Sequence, residues 1–305
     1  MTPGALDDQT SPIRHLEIPA MRSIIGLHDH DDDHDDHGGL HRDLQSTGAV
    51  IDRRAAIRMA ARLGAGFGAL SLLGCATDAT SVLTGTTGTG TETDGSTACA
   101  TKIPEETAGP YPGDGSNGAN VLNQTGVVRQ DIRSSFAGLN GTAAGIPLNI
   151  ELSLVSASTC APLAGYAVYL WHCDRAGNYS LYSSGVTNQN YLRGVQQADT
   201  NGKVTFTSIF PGCYSGRWPH IHFEVYKSLS DATKVSNKIA TSQIALPKAT
   251  CDLVYATTGY EASVRNLSNI SLASDNVFSD GASLELATCS GDTTSGYTAA
   301  LTVGV

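Results

Sequence analysis

The 305-residue sequence predicts an all-β fold, an antiparallel β-sandwich preceded by a disordered N-terminal export segment. Three observations lead there. Short segments alternate apolar and polar residues with a period of two, the mark of a strand with one buried face. The chain carries 33 glycines and only 16% charged residues, the composition of a turn-rich β protein. Outside the N-terminal apolar run, no long stretch shows a helical period.

The strands follow in order. Residues 146–155 (IPLNIELSLV) alternate cleanly. Residues 165–171 (GYAVYLW) are β-branched and aromatic. Residues 204–210 (VTFTSIF) follow the turn Asp199-Thr200-Asn201-Gly202, which suits a hairpin. Residues 220–226 (HIHFEVY) and 239–246 (IATSQIAL) complete the set. These strands place one folded domain at 99–305, and there is no internal repeat.

The chain divides before that domain. Residues 1–75 read as an acidic, His-rich leader followed by a signal. Arg53-Arg54 opens a basic stretch before an apolar run too short to span a membrane, which resembles a Tat signal. Leu72-Leu73-Gly74-Cys75 resembles a lipobox, in which Cys75 becomes a lipidated N-terminus. The expectation is export, with anchoring at the cell envelope or release outside the cell; a plain secretory signal is the alternative. His28, His30, His34, His37 and His41 form an apparent metal tract, but it has almost nothing apolar to bury and reads as a solvated run. Met1 and Met21 both serve as possible starts. Residues 76–98, rich in Thr and Gly, suit a flexible tether.

Net charge is -10, which excludes a nucleic-acid partner of the usual basic kind. There are seven cysteines and no C-x-x-C pair, so a zinc ribbon is disfavoured. With Cys75 set aside, the even set of six predicts about three disulfides in an oxidising compartment, Cys173 and Cys213 among them. About 15 pairings are open.

The chemistry gathers near His220-Ile221-His222. Side chains two apart on a strand share a face, so both imidazoles reach one point. Alone, His-x-His also suits copper or zinc. Tyr214 follows a strand in PGCY, Arg217 stands three before His220, and Tyr179 sits in GNYS after a strand. His172, the one other histidine after the leader, has no matched role and reads as structural.

Together these motifs resemble the intradiol ring-cleavage dioxygenases, the family of catechol and protocatechuate dioxygenases, from Glu106 to about Gln243. The resemblance implies that Tyr179, Tyr214, His220 and His222 hold Fe(III), a hard ion suited to phenolate oxygen. It implies that O2 and a catechol-type aromatic are the substrates, with a muconate-type diacid as product. Tyr214 is then the ligand that leaves and takes a substrate proton, and Arg217 stabilises developing charge. Gln243 orients Arg217, and Gly109-Pro110-Tyr111 forms a wall of the substrate pocket. Taken without the resemblance, Arg217 reads as a surface charge or a partner of Glu224, and the tyrosines as strand-edge aromatics.

Two departures weigh on the substrate. The stretch from Tyr214 to His220 is short, which leaves a more open pocket, and the family's helical N-terminal linker domain is missing. A lignin-derived or tethered catechol is the resulting expectation. The competing readings are a non-catalytic exported β-sandwich binding module and a Cu or Zn His-x-His protein.

Overall fold

The computed structural model of the chain describes residues 99–305, together with Met1. The leader with its histidine tract, the twin arginines, Cys75 and the 76–98 tether lie outside the described residues.

Eight strands form two four-stranded sheets. The first has the order β4-β1-β8-β7, from β1 (Pro147–Val155), β4 (Lys203–Ile209), β7 (Thr288–Asp292) and β8 (Gly296–Gly304). The second has the order β3-β2-β5-β6, from β2 (Ala167–Trp171), β3 (Arg193–Gln197), β5 (His220–Tyr226) and β6 (Ala240–Ala245). Every pairing is antiparallel except β1 with β8, which is parallel. The five strands expected from periodicity are present within a residue or two of their expected ends. The alternation of β1 turns Leu148, Ile150, Leu152 and Leu154 inward, where they meet Val168 and Leu170 of β2 and Ile221, Phe223 and Val225 of β5. Each such side chain, fully buried, stabilises the fold by roughly 1.5–3 kcal/mol. The sheets therefore face each other across one core, the predicted sandwich.

The two sheets differ on their outer faces. The outer residues of β1 are partly exposed. All seven residues of β5 are buried, so the second sheet is covered on both sides. Its outer face carries Ala167, Tyr169, Trp171 and Tyr226 under an apolar layer that includes Val121, Leu122, Tyr179 and Tyr214. That layer comes from the irregular segments before β1, between β2 and β3 and between β4 and β5.

Two helices depart from the expectation of no helix: α1 (Lys248–Tyr255) and α2 (Glu261–Ser268). Each has eight residues, about two turns, too short for a periodic pattern to stand out. They bury Cys251, Val254, Tyr255 and Leu267 in the common core. Among the described residues, no helix is long and apolar enough to cross a membrane.

The disulfide expectation is corrected. Among the described residues, Cys99–Cys160 is the one disulfide, and Cys173, Cys213, Cys251 and Cys289 are thiols. Cys213 and Cys251 belong to the sandwich core and Cys173 to the layer outside the second sheet. Burial pushes the Cys213 thiol up to about 12 and the Cys289 thiol up to about 11, and makes these sulfurs behave as small apolar groups. An even cysteine count carries no geometry, and for that reason it overstated the bridges.

Candidate metal centre and its supports

The site grows from β5. His220 and His222 point to the outer face of the second sheet, as their spacing requires. Their Nε2 atoms lie 3.1 Å apart. Tyr214 Oη is 3.2 Å and Tyr179 Oη 3.4 Å from His220 Nε2. Four potential donor atoms from three segments thus converge within one small volume. All four residues are at least nine-tenths buried. No group of three or more His, Cys, Asp and Glu gathers as a metal site among the described residues. The donors that do gather are two imidazoles and two phenols.

Each imidazole is fixed from behind. His220 Nδ1 is 2.5 Å from the carbonyl oxygen of Trp218, which makes it the N–H side and leaves Nε2 as a lone pair facing the phenols. His222 stacks on Trp171 at 4.9 Å and 4°, a consequence of the register that pairs Trp171 with His222 across β2 and β5. Burial, with the nearby Arg217 cation as a lesser cause, holds the His220 imidazole well below its ordinary range. His222 is held down likewise by burial first, then by His220 and Arg217. Both rings are neutral at pH 7, the form in which imidazole binds metals.

The tyrosines come from two turns that pack on each other. Tyr179 follows Gly177, whose φ is +89°. A Cβ on Gly177 would stand 3.1 Å from Tyr214 Cβ, so glycine lets the two turns approach. The turn carrying Tyr214 is held from the helical side. Tyr255 Oη donates to the Pro211 carbonyl at 3.1 Å and Tyr260 Oη to the Phe210 carbonyl at 2.8 Å. Ser263 Oγ accepts from the Cys213 N–H at 2.9 Å, and Asn266 Nδ2 donates to the Cys213 carbonyl at 2.8 Å. The helices that periodicity missed therefore satisfy four backbone groups of this turn.

Arg217 is fully buried, not a surface charge, and it does not pair with Glu224. Its Nη2 donates to Gln243 Oε1 at 2.6 Å, and Gln243 Nε2 donates to the Thr107 carbonyl at 2.8 Å. Its Nε donates to Asp275 Oδ2 at 2.9 Å. Glu224 instead takes Lys238 at 3.0 Å and the Tyr226 hydroxyl at 2.6 Å. His172 stands apart from the donor cluster: its ring nitrogens meet the Cys173 carbonyl at 2.8 Å and Ser208 Oγ at 2.7 Å.

The Gly109-Pro110-Tyr111 element borders the cluster. The Tyr111 ring lies 4.9 Å from that of Tyr179 and 5.2 Å from that of Tyr182. Gly109 N–H bonds to Thr107 Oγ1, and the Pro110 carbonyl accepts from Asn117 Nδ2.

Sequence reasoning assigned no role to two buried polar residues. Arg193 donates to the carbonyls of Tyr111 (2.9 Å), Pro112 (2.7 Å) and Ser180 (2.9 Å), and to the hydroxyls of Ser180 (3.1 Å) and Tyr169 (3.3 Å). It thereby ties the Tyr111 segment to the residue after Tyr179. Asp275 is the other. Burial of a charged side chain has no local signature, so neither could be found from spacing.

Residues 129–256 match a family model described as dioxygenase (Dioxygenase_C). No curated protein matches the chain. Among solved structures, an intradiol ring-cleavage dioxygenase from Tetranychus urticae is 24% identical, covers 67% of this chain and 94% of its own, and superposes with a TM-score of 0.54. The dioxygenase domain of a dioxygenase–carbohydrate-binding protein fusion from Streptomyces sp. SirexAA-E is 20% identical over 67% of this chain and 97% of that one, at a TM-score of 0.43. 3-Chlorocatechol 1,2-dioxygenase from Rhodococcus opacus 1CP is 15% identical over 66% and 71%, at 0.41. Residues 129–256 thus match the dioxygenase family model, and the described chain shares the fold of the intradiol ring-cleavage dioxygenase from Tetranychus urticae.

Proposed function

We propose that this protein is a non-haem ferric dioxygenase that opens a catechol-type ring between its two hydroxylated carbons, adding both atoms of O2 to give a muconate-type diacid. The observation that carries the proposal is the convergence of Tyr179 Oη, Tyr214 Oη and His222 Nε2 within 3.1–3.4 Å of His220 Nε2. That donor set fits the ion. Phenolate oxygen is a hard donor that favours Fe(III), and neutral imidazole completes a set of mixed hardness. A Cu or Zn pair of histidines leaves the buried tyrosines without a purpose.

Fe(III) held by these residues would supply a Lewis acid that polarises a bound catechol ring toward reaction with O2. The chain's own residues do the rest. Tyr179, Tyr214, His220 and His222 would hold the ion, and Tyr214 Oη would accept a substrate proton. Arg217, rigidly held, sets a positive charge beside the histidines, where negative charge builds on the ring and dioxygen. Tyr111 lies against Tyr179 and borders the place where the ring binds. The buried setting of the donors excludes water and strengthens these charges. The twin-arginine run and Cys75 motif support export with a lipid anchor, which fractionation of producing cells into soluble and membrane material tests.

The test is the full chain purified after production with iron supplied. Expected results are about one iron per chain, a visible phenolate-to-iron absorption that changes in Tyr214→Phe, and oxygen uptake on a panel of catechols. A colourless, iron-free protein that consumes no oxygen with any catechol overturns the proposal.

A further inference from the structure

Asp275 lies 19 residues past the end of the family-matched segment at 256, in the stretch between α2 and β7. Its side chain and that of Arg217 are both fully buried, and they form an ion pair at 2.9 Å. The two carboxylate oxygens divide their work. Oδ1 accepts the N–H groups of Val277 at 2.8 Å and Phe278 at 3.1 Å, a local cap on the turn that follows. Oδ2 accepts Arg217 Nε–H at 2.9 Å and the N–H of Trp218 at 2.7 Å. A cap needs only the first oxygen. The second reaches 57 and 58 residues back along the chain, to the arginine beside the histidines and to the residue whose carbonyl fixes His220.

We infer that Asp275 is a positioning residue for the dioxygenase reaction: it aims the Arg217 guanidinium, with Gln243 holding a second edge. The inference rests on the proposed function. A guanidinium on a long side chain has about 2 kcal/mol of rotamer entropy to lose, and stabilises a developing charge only when held in place beforehand. Here Nε is fixed by a carboxylate from one segment and Nη2 by an amide from β6, 2.6 Å away. Gln243 is in turn anchored on the Thr107 carbonyl. Three segments distant in sequence therefore set one direction. The side-chain bonds of Asp275 run to Arg217, Trp218, Val277 and Phe278, so its loss bears first on the arginine.

Asp275→Asn separates the two tasks. The amide oxygen can keep the cap at Val277 and Phe278, while the amide nitrogen then meets two donors, Arg217 Nε–H and Trp218 N–H. The expected result with iron-loaded protein is a fall in kcat of about 10- to 100-fold from misplacement of the arginine, with a smaller change in KM. The visible iron absorption stays as in the unaltered protein. Arg217→Gln is made alone and combined with Asp275→Asn. If Asp275 acts through Arg217, the double variant is no slower than Arg217→Gln. A fall in kcat of equal factor in both backgrounds overturns the inference, as does Asp275→Asn turning over at the unaltered rate. Asp275→Glu keeps the charge, and partial rescue of kcat by it supports positioning; if Asp275→Asn fails to fold, the comparison of Asp275→Glu with and without Arg217→Gln decides by the same rule. Failure of the unaltered, iron-loaded protein to turn over any catechol is a separate result, which strikes the proposed function itself.

Discussion

Replacing Arg193 by Met should destabilise the protein by about 1–3 kcal/mol, and the size follows from what Arg193 touches. The guanidinium is 1% exposed and makes five hydrogen bonds without a carboxylate partner among them. Some acceptors survive its loss: the Pro112 carbonyl keeps the Tyr169 hydroxyl at 2.6 Å, and Ser180 Oγ still donates to the Tyr191 carbonyl at 2.7 Å. The Tyr111 and Ser180 carbonyls lose the side-chain donor that Arg193 Nη2 gives each of them. Ser180 is buried, and a buried carbonyl left unsatisfied costs ~1–3 kcal/mol, which gives the range above. Two neighbours add to the strain released. Leu181 and Leu192 hold φ of +75° and +57°, conformations that non-glycine residues keep only where the surroundings over-determine them. Met fills a similar volume, so the change isolates the polar loss from a cavity. Arg193→Lys, which can reach one or two of these acceptors, should cost about half as much. Urea unfolding of the full chain, followed by fluorescence and extrapolated linearly, reads the difference. A Met variant within ~1 kcal/mol of the unaltered protein would show that the clamp does not hold the Tyr111 and Tyr179 segments together.

Gly113 has φ of +65°, and a Cβ there would lie 2.8 Å from Arg193 Nη1, so Gly113→Ala should lose roughly 1–3 kcal/mol in the same unfolding assay, with no loss counting against the clamp. Burial pushes the His172 imidazole down to about 4 from 6.5. The unfolded chain takes up that proton first, so the contribution is complete above pH 6.5 and is lost as pH falls toward 4, at most about 3 kcal/mol. Unfolding free energy measured against pH should lose this part of its slope in His172→Gln; an unchanged profile would remove His172 from the acid response. The Cys99–Cys160 disulfide closes a loop with a sequence separation of 61, worth about 4 kcal/mol of chain entropy, so a reductant should lower the unfolding midpoint while the buried thiols stay unreactive until the protein opens. An unshifted midpoint under reductant would contradict that.

The sequence disclosed those features whose cause is local. β1, β4 and β6 were legible because one face is apolar, and His220 and His222 could be placed on one face because strand side chains alternate. β3 was not legible, since Arg193-Gly194-Val195-Gln196-Gln197 has a glycine and three polar residues, and its Arg193 is buried only because loops cover it. β7 is mostly exposed and polar, so it shows no buried face to read. The tyrosines were located by motif resemblance, not by physics: nothing in G-N-Y-S or P-G-C-Y states that the two turns pack together at Gly177. Asp275 had no signal at all, because an ion pair formed across 58 residues leaves no trace in spacing.

That last omission has a physical pattern. The stretch from Phe210 to Trp218 must present Tyr214 and Arg217 in fixed directions, yet it forms neither helix nor strand, so its backbone groups find few partners of their own. Several of its partners come from residues beyond 256: Tyr260 on the Phe210 carbonyl, Ser263 and Asn266 on Cys213, and Asp275 on Arg217 and Trp218. The segment that holds the donors and the segment that holds them still are therefore different parts of the chain. A fragment ending at 256 would keep all four convergent donors in its sequence but lose these five hydrogen bonds, each worth about 0.5–1.5 kcal/mol net and more where Arg217 is charged. Rigidity of Tyr214 and Arg217 is thus a property of the whole described domain, and the boundary of the recognisable family segment falls inside the working unit instead of around it.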